Sequence, residues 1–192
     1  MSNILNHIAF ILDGNKRWAK KNNISNLNGY LRGFENIKNV VNYSISLEIS
    51  NLTIFALSSE NFNRSSISTI YDLIYKNFSK LFDDLVKNKG VKINIFGSRD
   101  NLPIKIKKIF EDIEYLSLNN KMINLNIAFN YGFKNEIKRV LDTVVTNKSR
   151  INFENENDIK KLFYLGSFPD PDILIRTGGY KRLSNFIMYN LT

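Results

Sequence analysis

His7-Ile8-Ala9-Phe10-Ile11-Leu12-Asp13-Gly14-Asn15-Lys16-Arg17-Trp18 is the stretch that decides the fold. Its first six residues form an apolar run with branched side chains, which reads as a strand buried on both faces. The run breaks at once into Asp13 and Gly14 and then leads toward a helix. The same alternation continues outward from it. Leu52–Leu57, Val91–Phe96, Ile123–Phe129 and Ile173–Ile175 read as four further strands. Between them apolar residues recur at helical spacing: Phe34, Ile37, Val40 and Val41, then Ile67, Ile70, Tyr71, Ile74, Phe78, Leu81, Phe82 and Leu85. Ile104–Leu118, Phe133–Val145 and Asp158–Leu165 complete the helices. Strands alternating with helices predict an α/β fold, with a central, mostly parallel sheet flanked by helices.

Composition bounds the function. The 192 residues are 43% hydrophobic and 23% charged, which suits one globular domain spanning 1–192 and excludes wholesale disorder. No apolar run approaches the length of a membrane span, and the first residues carry no signal-peptide core. The absence of Cys excludes disulfides, thiolate metal sites and Cys nucleophiles, and fits a cytoplasmic setting. With His7 as the only histidine, a Ser-His-Asp triad and a His-based metal site are poor expectations. The net charge of +9 favours anionic partners: phosphorylated metabolites, nucleic acid or an anionic membrane surface. Lys, Asn and Ile are enriched together, as in AT-rich coding sequence, so most Lys positions say little. The 8 Arg against 19 Lys are scarcer, and their positions carry more information.

Ligands of a parallel sheet gather at the carboxyl ends of its strands, and the polar clusters fall there. Asp13–Trp18 follows the first strand, and Ser58-Ser59-Glu60-Asn61-Phe62-Asn63-Arg64 follows the second. Asn130-Tyr131-Gly132 follows the fourth, and Arg176-Thr177-Gly178-Gly179 the fifth. Gly14 permits close backbone approach, Arg17 supplies a forked cation, and Asp13 reads either as a Mg²⁺ ligand beside phosphate or as a helix N-cap. Arg176–Gly179, with Arg182 and Ser184, reads as a second anion cradle or as a Gly-rich turn with solvated arginines. Neither nucleotide-binding glycine motif occurs, so two small diphosphates are the better expectation. Asn61 either meets the reacting region or closes an Asx-turn. Trp18 and Phe62 read as pocket walls or as core. The Ile67–Leu85 helix reads as core or as the lining of an apolar cavity.

Four words together resemble the cis-prenyltransferases, in particular the bacterial isoprenyl transferases of the undecaprenyl diphosphate synthase type. They are His7–Lys21, Phe55–Arg64, Leu125–Gly132 and Asp172–Phe186, in family order and with family-like spacing. The resemblance implies a parallel sheet with a hydrophobic tunnel, and successive condensation of isopentenyl diphosphate onto an allylic diphosphate with Z geometry. It implies that Asp13 is the essential carboxylate and binds Mg²⁺. Gly14, Asn15, Lys16 and Arg17 would hold the allylic diphosphate, with Trp18 next to it and Asn26 and Tyr30 nearby. Asn61 would orient the substrate while a diphosphate oxygen takes the proton. Arg64, Arg176, Arg182 and Ser184 would bind isopentenyl diphosphate, with Ser58, Ser59, Glu60, Phe62 and Leu183 in the substrate sites. A homodimer and a membrane-bound product are further implications.

The chain departs from the family pattern at several points. Asn26 and Tyr30 stand where the family usually has an Arg and a His, Lys16 where it often has Gly, Phe62 where it has Trp, and Lys181 where a His is common. The family continues past Ser184-Asn185-Phe186 into a helix with a metal-binding Glu and dimer contacts. The sequence ends at Thr192, which predicts a weakened dimer and an apolar helical face uncovered at Phe186, Ile187 and Leu191. A non-catalytic diphosphate-binding partner subunit is the alternative reading, although the Asp13 word is intact. A basic nucleic-acid binder is the remote one, and the clustering of Arg in strand-end turns disfavours it.

Overall fold

The computed structural model describes residues 5–62, 67–147 and 151–191; at 79–81 and 147 it describes backbone alone. Five strands, β1 (His7–Ile11), β2 (Asn51–Ser58), β3 (Val91–Phe96), β4 (Ile123–Tyr131) and β5 (Ile173–Arg176), form one parallel sheet in the order β3-β4-β2-β1-β5. The crossovers run through α1 (Asn15–Lys21) and α2 (Asn26–Ser46), then α3 (Ser59–Phe62) and α4 (Ile67–Lys87), then α5 (Ile104–Leu116), and last α6 (Phe133–Asn147) and α7 (Glu156–Lys160). The chain moves from β1 toward β2 on one side and returns to β1 on the other as β5. The β1/β5 boundary is therefore a topological switch point, where such sheets open a crevice.

Each face of the sheet has its own core. Ile37 and Val41 of α2, Ile74, Phe78, Phe82 and Leu85 of α4, and Ile106, Phe110 and Ile113 of α5 cover one face. Leu165, Phe186 and Ile187 cover the other, against Ala9, Ile11, Phe55, Ala128 and Tyr131. Burial on both faces explains why the strands read as continuous apolar runs instead of alternating ones. α2 starts at Asn26, well before the apolar period near Phe34 shows it, because the Ser25 hydroxyl accepts the Asn28 amide as an N-cap.

His7 is structural. Its Nδ1 lies 2.6 Å from the Pro169 carbonyl and its Nε2 2.7 Å from Thr53 Oγ1. The carbonyl can only accept, so Nδ1 carries the proton and the Thr53 hydroxyl donates to Nε2. Burial is the main influence on the ring and lowers its pKa. Asn126 donates to Thr53 and Asn94 to Asn126, which continues this polar ladder across the sheet.

Two expectations fail at the C-terminal end. The segment from Ser184 is not a helix: Ser184 and Asn185 take left-handed φ of 53° and 62°, and only a 3-10 turn at Met188–Asn190 follows. Asn185 instead caps α6, accepting the Phe133 amide at its carbonyl and the Lys134 amide at Oδ1. Nor are Phe186 and Ile187 uncovered. Both are fully buried, Phe186 stacks on Phe55 at 4.5 Å, and Leu191 packs against the same cluster. The helix expected over Asp158–Leu165 is confined to α7, because Gly166 turns so tightly onto the Lys160 carbonyl that a Cβ there would lie 2.0 Å away.

Candidate active site

The carboxyl ends of β1 and β5 are pinned together by one hydroxyl. Thr177 Oγ1 accepts the Asp13 amide at 2.9 Å and lies 2.7 Å from the Asp13 carbonyl. Gly14 (φ 100°) and Gly178 (φ 82°) cross here. A Cβ on Gly14 would stand 3.0 Å from Gly178 Cα, and one on Gly178 would stand 2.8 Å from the Asp13 carbonyl oxygen. Only glycine satisfies both the left-handed backbone and the approach.

This crossing presents Asp13 to two guanidinium groups. Arg176 Nη2 lies 2.7 Å from Asp13 Oδ2, and Arg17 Nη2 lies 3.2 Å from Oδ1. Burial pushes the Asp13 carboxyl up, but Arg176, helped by the Gly14 amide and Arg17, outweighs it and holds the carboxyl below its usual range. Asp13 does not cap α1: Gly14 occupies the N-cap position and no side chain caps it. Arg176 also donates from Nη1 to Ser184 Oγ and to the Arg182 carbonyl, both at 2.6 Å. Its side chain is 10% exposed, and its buried Nε has no partner among the described residues. A buried donor left unpaired beside a polar pocket fits an anionic ligand.

Two cavities meet at Asp13. A polar pocket of about 180 Å³ is lined by Ser58, Glu60, Arg176, Arg182 and Ser184. An apolar tunnel of about 340 Å³ runs beneath Gly14, Asn15, Lys16, Arg17 and Tyr30. The tunnel reaches Phe34, Phe78, Phe82 and Phe110. Those rings pack at centroid distances of 4.4 Å (Phe78–Phe82), 5.5 Å (Phe78–Phe110) and 5.7 Å (Phe34–Phe82). Leu12, Asp13, Ala56 and Asn61 line both cavities. Ala56 is the one exposed position of β2 and falls at the register shift between β2 and β4, so the small side chain stands at the junction of the two cavities. Asn61 is set by α3, whose Asn61 amide is bonded to Ser58 Oγ.

The other expected site residues fall as follows. Asn15 lies on Gly33, where a Cβ would stand 2.8 Å from its side-chain amide, and this fastens α1 to α2. Asn26, with Lys16 and Arg17, lines a shallow surface pocket beside the tunnel mouth. Ser59 Oγ faces Gly132, and Glu60 accepts from Asn185 at 3.4 Å. Phe62 is half-buried and packs edge-on against Tyr71, lining neither cavity. Trp18 and Leu183 are exposed and line neither cavity. Arg64 lies outside the described residues, as does the side chain of Leu81. Leu85 is core, and Leu73 takes its place on the tunnel wall. Sequence reasoning placed Thr177 in an anion cradle and not as the hydroxyl that closes the strand ends, and it passed over the tunnel floor at Phe110 and Phe129, which lie on separate elements.

A parallel α/β sheet with a guanidinium-lined pocket opening into an apolar tunnel defines a site for molecules with an anionic head and a hydrocarbon tail. The chain belongs to the cis-prenyltransferase family: residues 11–192 match the family model described as "Putative undecaprenyl diphosphate synthase". It is 37% identical to the isoprenyl transferase of Fusobacterium nucleatum, over 98% of this chain and 81% of that protein. It is 36% identical to the tritrans,polycis-undecaprenyl-diphosphate synthase (geranylgeranyl-diphosphate specific) of Thermococcus kodakarensis, over 98% and 74%. Among solved structures, lavandulyl diphosphate synthase from Lavandula x intermedia in complex with dimethylallyl diphosphate superposes with a TM-score of 0.90 at 29% identity, covering 99% of this chain and 84% of that one. A "probable undecaprenyl diphosphate synthase" from Campylobacter jejuni gives 0.69 at 26% identity, over 97% and 81%.

Proposed function

We propose that this transferase condenses isopentenyl diphosphate with an allylic diphosphate, such as farnesyl diphosphate, to give a Z-polyprenyl diphosphate that serves as the undecaprenyl carrier for cell-wall synthesis. One observation carries the reading: Asp13, Ala56 and Asn61 stand where a pocket lined by Arg176 and Arg182 meets an apolar tunnel. A diphosphate head and an isoprenoid tail match the two cavities in charge and polarity.

Asp13 would hold Mg²⁺. Among the described residues no three His, Asp or Glu side chains gather, and a pocket whose carboxylates are Asp13 and Glu60 suits Mg²⁺, which takes one or two carboxylates and leaves the rest to phosphate oxygens and water. When bound, Mg²⁺ would supply charge neutralisation for a departing diphosphate. Arg17, with the Gly14 turn and Lys16, would hold the allylic diphosphate. Arg176, Arg182 and Ser184 would hold isopentenyl diphosphate, with the free Nε of Arg176 as an added donor. Asn61 would orient the isopentenyl unit between them. A new C–C bond would form at C1 of the allylic unit as its diphosphate leaves, and a proton from the isopentenyl unit would pass to a diphosphate oxygen. The tunnel would take the tail, at roughly 0.8 kcal/mol per buried CH₂.

The chain would act in the cytoplasm as a homodimer and release its product to the membrane; none of the described helices is long and apolar enough to span one. Turnover of farnesyl and isopentenyl diphosphates with and without Mg²⁺ tests the reading. Arg17→Ala should raise the allylic KM and Arg182→Ala the isopentenyl KM, each by about 10- to 100-fold for a lost charge-assisted bond. Tight binding of both substrates without turnover would favour a non-catalytic partner subunit.

A further inference from the structure

Tyr180 is an exposed aromatic that the chemistry above does not use, yet two arginines lie over its ring. Arg17 Cζ is 4.4 Å from the ring centroid and Arg182 Cζ is 5.3 Å, both within cation–π range. These arginines belong to different candidate diphosphate sites, one on α1 and one on the loop after β5. The ring completes a closed circuit. Arg17 pairs with Asp13, Asp13 with Arg176, and Arg176 Nη1 donates to the Arg182 carbonyl. Arg182 and Arg17 then share the Tyr180 ring. A second tie runs from Arg17 Nη1 to the Gly178 carbonyl at 2.8 Å. The left-handed Gly178 and Gly179 turn the chain so that Tyr180 comes back to α1.

We propose that Tyr180 is a positioning residue that couples the two diphosphate sites, a role that rests on the reading of those sites given above. A diphosphate that takes Arg17 must draw it off the Tyr180 ring and the Gly178 carbonyl. That loosens residues 179–183 from α1, while Thr177 stays pinned to Asp13. Arg182, carried on the same loop, then meets the second diphosphate without that cost. The circuit opens once for two ligands, so each ligand tightens the other by the same factor.

The test is calorimetric, on the full chain with Mg²⁺, using isopentenyl diphosphate and farnesyl thiodiphosphate as an unreactive allylic probe. Each Kd is measured alone and with the other probe saturating. The wild type should show positive coupling, equal in both orders of addition. Tyr180→Leu should lose roughly two- to fivefold of that coupling, the worth of one exposed cation–π contact. Tyr180→Phe, which keeps the ring, should restore it. At 51% exposure Tyr180 can be replaced without opening the core. Wild-type coupling in Tyr180→Leu, or independent binding in the wild type, would overturn the proposal. Failure of both probes to bind wild type and Tyr180→Phe would instead overturn the assignment of the two sites, and the coupling with it.

Discussion

Arg176 Nη2 donates to Asp13 Oδ2 at 2.7 Å, although the two residues stand at opposite ends of the sequence. This pair joins the end of β1 to the end of β5 and sets the charge of the site. Its second arm, to Ser184 and the Arg182 carbonyl, makes Arg176 the hub of the loop that follows. The consequences can be measured.

Asp13→Asn keeps the size of the side chain and removes its charge. Condensation should fall on the order of 10³-fold, if the carboxylate supplies several kcal/mol of transition-state stabilisation through its metal. Stability should respond to pH with a defined sign. The folded pKa of Asp13 is depressed from its ordinary 3.8, so its contribution is present above that value and lost as pH falls through the lower folded one. Melting curves of wild type and variant should converge only in strong acid. Near-normal turnover by the variant would remove Asp13 from the mechanism.

Gly178→Ala should damage the site through the backbone alone. The new Cβ would sit at φ 82° and 2.8 Å from the Asp13 carbonyl oxygen. A non-glycine residue forced left-handed costs about 1–3 kcal/mol, and a domain of this size loses roughly 2–4 °C per kcal/mol. Gly179→Ala, with nothing within 4 Å of its Cβ, meets the same backbone cost without the clash. Comparing the two by calorimetry and by KM isolates the contact: Gly178→Ala should raise the KM of both substrates more.

The tunnel floor should set product length. Phe82→Leu opens space among Phe34, Phe78 and Phe110 and should shift products to longer chains. Phe82→Ala should do so more strongly, while destabilising the fold by about 3–5 kcal/mol. Ala56→Leu, at the junction of the two cavities, should shorten products or stop elongation. Chromatography of radiolabelled products decides; identical distributions in all three would show that neither Phe82 nor Ala56 limits the product.

Glu136 offers a pH test away from the active site. This carboxyl is buried beneath Tyr131, whose hydroxyl donates to Oε2 at 2.5 Å, and it accepts the Tyr164 amide at 2.6 Å. Burial raises its pKa above the ordinary 4.5, against the opposing hydrogen bonds from Tyr131 and Tyr164. Stability from a raised folded pKa is full below the unfolded value and lost as pH rises through the folded one. Relative to Glu136→Gln, the wild type should therefore lose stability as pH climbs above about 4.5. Parallel urea titrations at pH 4 and 8 check this, and an unchanged difference would place the proton elsewhere.

Most of the strand and helix pattern was legible because burial on both faces leaves unbroken apolar runs. Val91–Phe96 coincides with β3, and the apolar period from Ile67 to Leu85 lies within α4. The strand-end turns were legible because polar residues follow the runs, and those after β1, β2 and β5 line one polar pocket. The C-terminal segment misled because its periodicity is helical while its backbone answers to tertiary demand. Phe186 must reach Phe55, and Asn185 must cap α6, so Ser184 and Asn185 turn left-handed where a helix would begin. Trp18, read as pocket wall or core, stands exposed on α1, where Ala19 is the residue that turns inward. The link between Tyr180 and the two arginines could not be read from spacing, since it depends on two consecutive left-handed glycines.

Gly14 and Gly178 carry a consequence for descent. Every single-nucleotide change away from a glycine codon adds a side chain or ends the protein, and at this crossing an added Cβ would press on the other strand's backbone. The two positions must persist as a pair, although far apart in the gene. Lysine and asparagine are abundant along the chain, yet at this crossing any side chain meets both a left-handed backbone and a close neighbour. A side chain at either glycine would be an early mark that the site had been released from selection.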